Sequence, residues 1–333
     1  MYTHPMKLRV HLLQERNGEL LENLGKNLDS DVTLSCGKEV PDPADYDILV
    51  CGVPDRESIE ASPRLKYLII PWSGLPRKTR ELMRDYPGIS IHNIHHNAVP
   101  VAEMAIALML AAAKDLVPID ASFRRNDWGK RYDTHTMDLL RGKRVLVLGY
   151  GAIGKEIARR CLAFGMSVTG VRRTAPEEGG SETAGGVDVY PVSRLAGLLP
   201  AADVLFLSLP LTDETGGMVG GRELSLLPEG AILVNVSRGR IVDEEALFER
   251  LKASRLRAGL DVWYNYPESQ ESRASTPPSA YPFGDLPNVV MTPHLAGHSD
   301  MTETLRAHEL SRLLNEASRE GRLSGRVDPD LGY

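Results

Sequence analysis

The stretch KRVLVLGYGAIGKEIA, residues 143–158, decides the architecture. An apolar run, Val145-Leu146-Val147-Leu148, enters Gly149-Tyr150-Gly151-Ala152-Ile153-Gly154, and an amphipathic segment follows. A strand that runs into G-x-G-x-x-G and then a helix is a dinucleotide-binding turn. Gly149 allows the tight turn, Gly151 lets backbone approach a pyrophosphate, and Gly154 lets helix and strand pack closely. The helix start presents free N–H groups to phosphate oxygens. The turn makes Gly149, Gly151, Ala152, Ile153 and Gly154 candidate cofactor residues.

Outward from this turn, apolar runs alternate with helical patterns. SVTGV (167–171), DVLFLSL (203–209), AILVNV (231–236), RAGLDV (257–262) and NVVMT (288–292) read as strands. Residues 153–165 and 243–255 between them have helical spacing. Upstream, LRVHLL, VTLS, YDILV, LKYLII and ISIHNI read as a first strand set, with helices over 19–28 and 77–86. Residues 98–114 form a long apolar helix, read as core or dimer surface, and a last helix covers about 298–320. The Ser/Pro-rich stretch 267–286 reads as a surface excursion. Such alternation predicts α/β folding: two Rossmann-like, doubly wound parallel-sheet domains with an active-site cleft between them. The expected domains are a flavodoxin-like substrate domain, 1–97 plus 294–333, and an NAD(P)-binding Rossmann domain, 98–293.

After the strand SVTGV come Arg172-Arg173-Thr174, where an NAD site places an acid for the ribose 2′-OH. Guanidinium forks suit a 2′-phosphate, so NADP(H) is favoured over NAD(H). Two other strands end in polar residues: Arg238 follows AILVNVS, and His294 follows NVVMTP. Ligands bind beyond the carboxyl ends of strands in open α/β sheets. There Arg238 can clamp a carboxylate, and His294 can exchange a proton with a hydroxyl.

Together these stretches resemble the D-isomer-specific 2-hydroxyacid dehydrogenases, the superfamily that also holds phosphoglycerate, glyoxylate/hydroxypyruvate, formate and phosphite dehydrogenases. The matching segments are LRGKRVLVLGYGAIGKEIARRCLAFGM, ADVLFLSLPLTDET, AILVNVSRGRIVDEEAL, AGLDVW and NVVMTPHLAG, with VPVAEMAIALML similar to the family's interdomain helix. The resemblance implies that Arg238 binds the substrate carboxylate and carbonyl, and that His294 is the general acid/base. It implies that Asp261 holds the nicotinamide carboxamide. Leu209, Pro210, Thr215, Val236, Ser237 and Ala296 would surround the cofactor, with His294 beside the nicotinamide. Ser73, Gly74 and Leu75, in the turn that Trp72 opens, would hold the substrate carboxylate, and Asn97 would also face substrate.

The sequence departs from the family at informative places. Tyr266 stands where a glutamate usually partners the catalytic histidine. A neutral phenol lends that histidine no charge, yet it can still orient the ring, so Tyr266 is a third catalytic candidate. Ser208 replaces a histidine, and Ala296 replaces a glycine. Formate dehydrogenases also lack the glutamate and carry an asparagine six residues before the Glu of VAE, as Asn97 stands before Glu103. They have Gln where Tyr266 stands and Asp where Arg172 stands. The reading is therefore an NAD(P)-dependent oxidoreductase interconverting small D-2-hydroxy acids and 2-oxo acids. Oxidation of formate or a similar small anion, and a non-catalytic nucleotide-binding regulator, are the alternatives.

Composition bounds the rest. With 42% hydrophobic and 25% charged residues, 333 residues form an ordinary globular chain large enough for two cores. A net charge of −6 argues against nucleic acid as partner. The expected partner is a small carboxylate, with a second copy in a homodimer. Three cysteines without a CxxC pair argue for a reducing compartment, and MYTHPMKLRV does not read as a signal peptide. No membrane segment is expected, and the expected location is cytoplasmic. His92, His95 and His96 cluster in sequence without carboxylate or HExxH companions, so no metal site is assigned. They are expected to line the cleft or cap the helix that follows.

Overall fold

The computed structural model describes residues 6–133, 137–175 and 186–330. It divides into two compact units, Met1–Asn97 with His298–Tyr333, and Ala98–Gly297.

In the first unit, strands β1 (Leu8–Leu13), β2 (Val32–Gly37), β3 (Ile48–Val50), β4 (Tyr67–Ile70) and β5 (Ser90–Asn93) alternate with helices α1 (Gly18–Asn27), α2 (Arg56–Glu60) and α3 (Arg77–Met83). The five strands are parallel, in the order 5-4-3-1-2. That is the flavodoxin-like order, whose reversal of direction falls between β1 and β3. Local chemistry sets the boundaries. Asn17 caps α1 by accepting from the Leu20 N–H at 3.2 Å, and Leu20 and Leu24 form the buried stripe of that helix.

In the second unit, α4 (Ala98–Ala113), α5 (Leu116–Phe123) and α6 (Gly129–Tyr132) precede a seven-stranded sheet. Its elements in chain order are β6 (Arg144–Leu148), α7 (Ala152–Ala163), β7 (Ser167–Val171), β8 (Asp188–Tyr190), α8 (Leu195–Leu198), β9 (Val204–Leu207), α9 (Gly221–Leu226), β10 (Ala231–Asn235), α10 (Glu244–Lys252), β11 (Leu256–Leu260) and β12 (Val289–Met291). All neighbouring strands are parallel, in the order β12-β11-β10-β9-β6-β7-β8. Counted from β6, this contains the 3-2-1-4-5-6 order of dinucleotide-binding sheets, with the switch point between β6 and β9. β9 and β10 are buried along their whole length, as strands covered on both faces must be. A fully buried side chain such as Phe206 contributes about 2–3 kcal/mol of hydrophobic stabilisation.

The chain returns to the first unit as α11 (Thr302–Glu320), ended by Gly321 at φ +70°, and β13 (Arg326–Val327), antiparallel to β5. α11 starts at Thr302, not near 298. Ser299 and Thr302 exchange hydrogen bonds instead, with Ser299 N–H on Thr302 Oγ1 at 2.8 Å. His294–Gly297 group with the second unit, not with the residues after them.

α4 is core. Ala102, Ala105 and Met109 have no exposure, and the helix packs on α7, β10 and β11. The stretch 267–286 is not wholly superficial either. Phe283 is 1% exposed and stacks edge-on against Phe248 and Trp263. Among the described residues no helix is long and apolar enough to cross a membrane.

Candidate active site

The glycine turn is forced by space. Gly149 has φ +103°, and a Cβ there would lie 2.6 Å from the Ser208 carbonyl carbon at the end of β9. Gly154 is as constrained, because its Cβ would meet the Gly149 carbonyl oxygen at 2.3 Å. Gly151, by contrast, faces open space. Two glycines therefore close the turn, and the third leaves room at the start of α7, whose first N–H groups have no partner inside the helix. Ala152 is exposed and Ile153 half-buried there. This combination fits a pyrophosphate at the switch point.

Arg172, Arg173 and Thr174 follow β7, and the Arg172 N–H donates to Tyr190 O at 3.0 Å. Arg173 and Thr174 are exposed. Leu209 and Pro210 follow β9 beside Gly149. Thr215 is different: it is 7% exposed, and its hydroxyl donates to Pro210 O at 2.6 Å while accepting from the Thr212 N–H at 2.8 Å. It shapes the turn after β9.

Arg238 is exposed on a turn built by Asn235. Asn235, 2% exposed at the end of β10, accepts from Ser237 N–H at 3.0 Å and Ser237 Oγ–H at 2.6 Å, and donates to Arg238 O at 3.1 Å. Gly239 completes the turn, because a Cβ there would lie 2.4 Å from Trp263 O. Sequence reasoning passed over both residues. The Asn-x-Ser-x-Gly spacing, an Asx turn followed by a close-approach glycine, was the available signal.

Asp261 has no solvent exposure. Its Oδ1 accepts from Thr292 Oγ1–H at 2.6 Å and Leu295 N–H at 2.9 Å, and its Oδ2 accepts from Ala296 N–H at 3.0 Å. The carboxylate thus holds the loop on both sides of His294. Ala296, 3% exposed with its N–H engaged, belongs to that anchor. Trp263 adds a second tie, Nε1–H to Thr292 O at 2.8 Å. Held this way, His294 is exposed and adopts φ +57°, a left-handed conformation uncommon for a residue with a Cβ.

Tyr266 meets His294. Their ring centroids are 5.5 Å apart with planes tilted at 58°, and the Tyr266 hydroxyl accepts from the Trp263 N–H at 3.1 Å. Burial pushes the phenol above its ordinary value, and the Trp263 N–H and the Arg238 charge pull it partly back. Tyr266 is therefore neutral around pH 7. The ends of β10, β11 and β12, which are adjacent strands, thus bring Arg238, Tyr266 and His294 to one edge of the sheet.

Ser73, Gly74, Leu75 and Asn97 belong to the first unit. Ser73 O accepts from Asn93 Nδ2–H at 2.7 Å. The Asn97 side-chain oxygen is buried without a hydrogen-bond partner among the described residues. His92 has a structural task, bonding Ser324 O through Nδ1 at 2.8 Å and Ser90 Oγ through Nε2 at 2.9 Å. It joins β5 to the chain beside β13 and does not cap α4. His96 is pushed down to about 4, chiefly by burial and then by the Arg306 charge, so it is neutral at physiological pH. Among the described residues no group of three or more His, Cys, Asp or Glu is placed to hold a metal ion.

Residues 106–296 match the family model for the D-isomer specific 2-hydroxyacid dehydrogenase NAD binding domain. The chain is 32% identical over 273 residues to glycerate dehydrogenase of Methylorubrum extorquens, covering 79% of each protein. It is 30% identical over 264 residues to D-3-phosphoglycerate dehydrogenase of Methanocaldococcus jannaschii, covering 78% of this chain and 47% of that longer protein. The chain thus spans about half the length of that relative. A solved D-isomer specific 2-hydroxyacid dehydrogenase from Xanthobacter autotrophicus, in complex with NADPH and MES, has the same fold, with a TM-score of 0.78. At 23% identity, the alignment covers 98% of this chain and all of that one. With the glycine turn, the arginine turn after β10 and the histidine loop after β12 all inside the matched segment, the chain belongs to the D-isomer specific 2-hydroxyacid dehydrogenases.

Proposed function

We propose that the protein reduces small 2-oxo acids to D-2-hydroxy acids, and runs the reverse reaction, with NADP(H) preferred over NAD(H). The observation that carries this reading is the convergence of Arg238, Tyr266 and His294 at the ends of β10, β11 and β12, in the same sheet as the glycine turn of β6. The relatives named for glycerate and phosphoglycerate dehydrogenation support the substrate class. When bound, the nicotinamide supplies the hydride to the carbonyl carbon or takes it back. Arg238 pairs with the substrate carboxylate and draws charge onto the carbonyl oxygen. His294 gives the proton that turns the developing alkoxide into a hydroxyl. Tyr266 packs beside the imidazole and orients it. The N–H groups of Ser73, Gly74 and Leu75 and the side chain of Asn97 contribute to substrate binding. Gly149, Gly151, Ala152, Ile153, Gly154, Leu209, Pro210, Val236 and Ser237 bind the cofactor. The test is cofactor-coupled turnover with a panel of 2-oxo acids and formate, using both nicotinamides. Formate-dependent reduction alone, or no turnover at all, would overturn the proposal.

The NADP(H) preference rests on Arg172 and Arg173, which stand beyond β7 where a 2′-OH acceptor would be needed for NAD(H). Arg172→Asp should shift kcat/KM toward NADH by about tenfold or more, the worth of one charge-assisted phosphate contact. A wild type already preferring NADH would refute the preference.

A homodimer fits the surface of residues 116–139. Leu116, Val117, Phe123, Trp128, Tyr132, Met137 and Leu139 are all exposed, Tyr132 at 81% and Leu139 at 71%. Apolar exposure concentrated this way marks an interface. Trp128→Asp combined with Tyr132→Asp should convert a dimer into a monomer in sedimentation. Monomeric wild-type protein at micromolar concentration would sink the assignment. The three cysteines are all free, which fits the reducing cytoplasm proposed as its location.

A further inference from the structure

In the first unit the strand order reverses between β1 and β3, the place beyond whose carboxyl ends an open α/β sheet takes its ligand. Gly52 is buried there, two residues after β3 ends, and Trp72 stands two residues after β4 ends. The Trp72 ring rests on Gly52. A Cβ at Gly52 would lie 1.9 Å from Cη2, 2.2 Å from Cζ2 and 2.9 Å from Cζ3 of that ring. Gly52 does not need a positive φ, so it is glycine for space alone.

Neither partner is free to shift. The Gly52 carbonyl accepts from Thr79 Oγ1–H at 2.7 Å, and Thr79 is fully buried. On the other side, Asn93 holds Ser73 O and Leu75 packs into the core with Leu49 and Ile70. These anchors hold the backbone beneath and beside the indole, and Trp72 as a whole keeps 39% exposure. The result is a fixed apolar face directly before the Ser73–Leu75 turn.

We propose that Trp72, seated on Gly52, is a specificity-determining wall that restricts the substrate to 2-oxo acids with a short, uncharged substituent. The proposal rests on the functional reading above, in which the turn after Trp72 holds the substrate carboxylate. A carboxylate on that turn leaves the substituent on C2 beside the indole. A rigid ring cannot yield to a branched chain, and an apolar face offers a charged one no partner. Gly52 makes this possible, because any larger residue would push the ring off its seat.

The experiment compares kcat/KM for glyoxylate and for 2-oxo-4-methylpentanoate in wild type, Trp72→Ala and Trp72→Phe. Trp72→Ala should raise the ratio of long to short substrate by about tenfold or more, the scale of pocket discrimination by a few carbons. Trp72→Phe, which keeps an aromatic face and guards against a folding failure, should move it partway. Oxamate binding by calorimetry, changed by less than about threefold in Trp72→Phe, checks that the turn is intact. An unmoved ratio in both variants, or a ratio that falls because long chains stack on the indole, overturns the wall. Wild-type protein that turns over no 2-oxo acid with either cofactor overturns the functional reading and the wall with it. Turnover of glyoxylate with an unmoved ratio removes only the wall.

Discussion

His294→Ala should lower kcat for a reduced 2-oxo acid by about 10²–10⁴, the worth of a positioned general acid. Cofactor affinity should hold, because the glycine turn and the arginines after β7 are untouched. Arg238→Ala should weaken transition-state binding by about 3 kcal/mol, the loss seen when one preorganised charge partner is removed, and should raise KM as well. Arg238→Lys keeps the charge but not the fork, so it should recover only part of that loss. The pH profile carries a further sign. Burial keeps the Tyr266 phenol above its ordinary value, so it adds no negative charge beside His294 across the working range. A carboxylate there would favour the protonated imidazole. Tyr266→Glu should therefore push the alkaline limb of the reductive reaction to higher pH, while the exposed Glu268 should be replaceable by Gln without moving it. A limb that drops on Glu268→Gln would mean that the partner carboxylate stands two residues along. Near-wild-type turnover by His294→Ala would remove the histidine from the chemistry.

Asp261→Ala should be the most damaging single change away from the reacting groups. The carboxylate is fully buried, and it takes two backbone N–H groups and one hydroxyl from the loop that carries His294. Removing it leaves buried donors unpaired, each costing about 1–3 kcal/mol. It also releases the left-handed residue at position 294, whose conformation costs about 1 kcal/mol and persists only because its surroundings hold it. Loss of stability of about 3 kcal/mol or more is expected, with kcat reduced at least tenfold by the displaced imidazole. Asp261→Asn separates two roles for this group. An amide nitrogen would face a backbone donor, so a loop anchor predicts a lower Tm in cofactor-free protein. A partner of the nicotinamide alone predicts an unchanged Tm and weaker cofactor binding.

Much of this was legible before any coordinates. The strands read from unbroken runs of four apolar residues, Tyr67–Ile70, Val145–Leu148, Val204–Leu207 and Ala231–Val234, are all present, because strands covered on both faces have to be apolar throughout. The glycine turn was legible because each of its glycines answers a distinct spatial demand. What escaped was set by contacts distant in sequence. β13 is two residues long, too short for any period to register, and β8 has a single buried residue, Val189, between an aspartate and a half-buried tyrosine. Phe283 sits in a stretch rich in Ser and Pro, and only the proximity of Phe248 and Trp263 reveals it as core. At the site, Arg238 and His294 stood out because they follow strand ends. The work of Asp261 did not, because its partners lie 31–35 residues downstream. Thr215 was legible only as part of a matching segment, and the bond of its hydroxyl to Pro210 O was not.

The strand order has an engineering corollary. β7, which is followed by the arginines proposed to choose the coenzyme, is separated from β10 by β6 and β9. At about 4.8 Å per strand spacing, its end lies about 14 Å from that of β10 and about 24 Å from that of β12. The Debye length at physiological ionic strength is about 8 Å. A charge reversal at Arg172 is therefore insulated from the imidazole proposed to move the proton. Coenzyme choice and acid–base chemistry can be retuned in this sheet as independent modules.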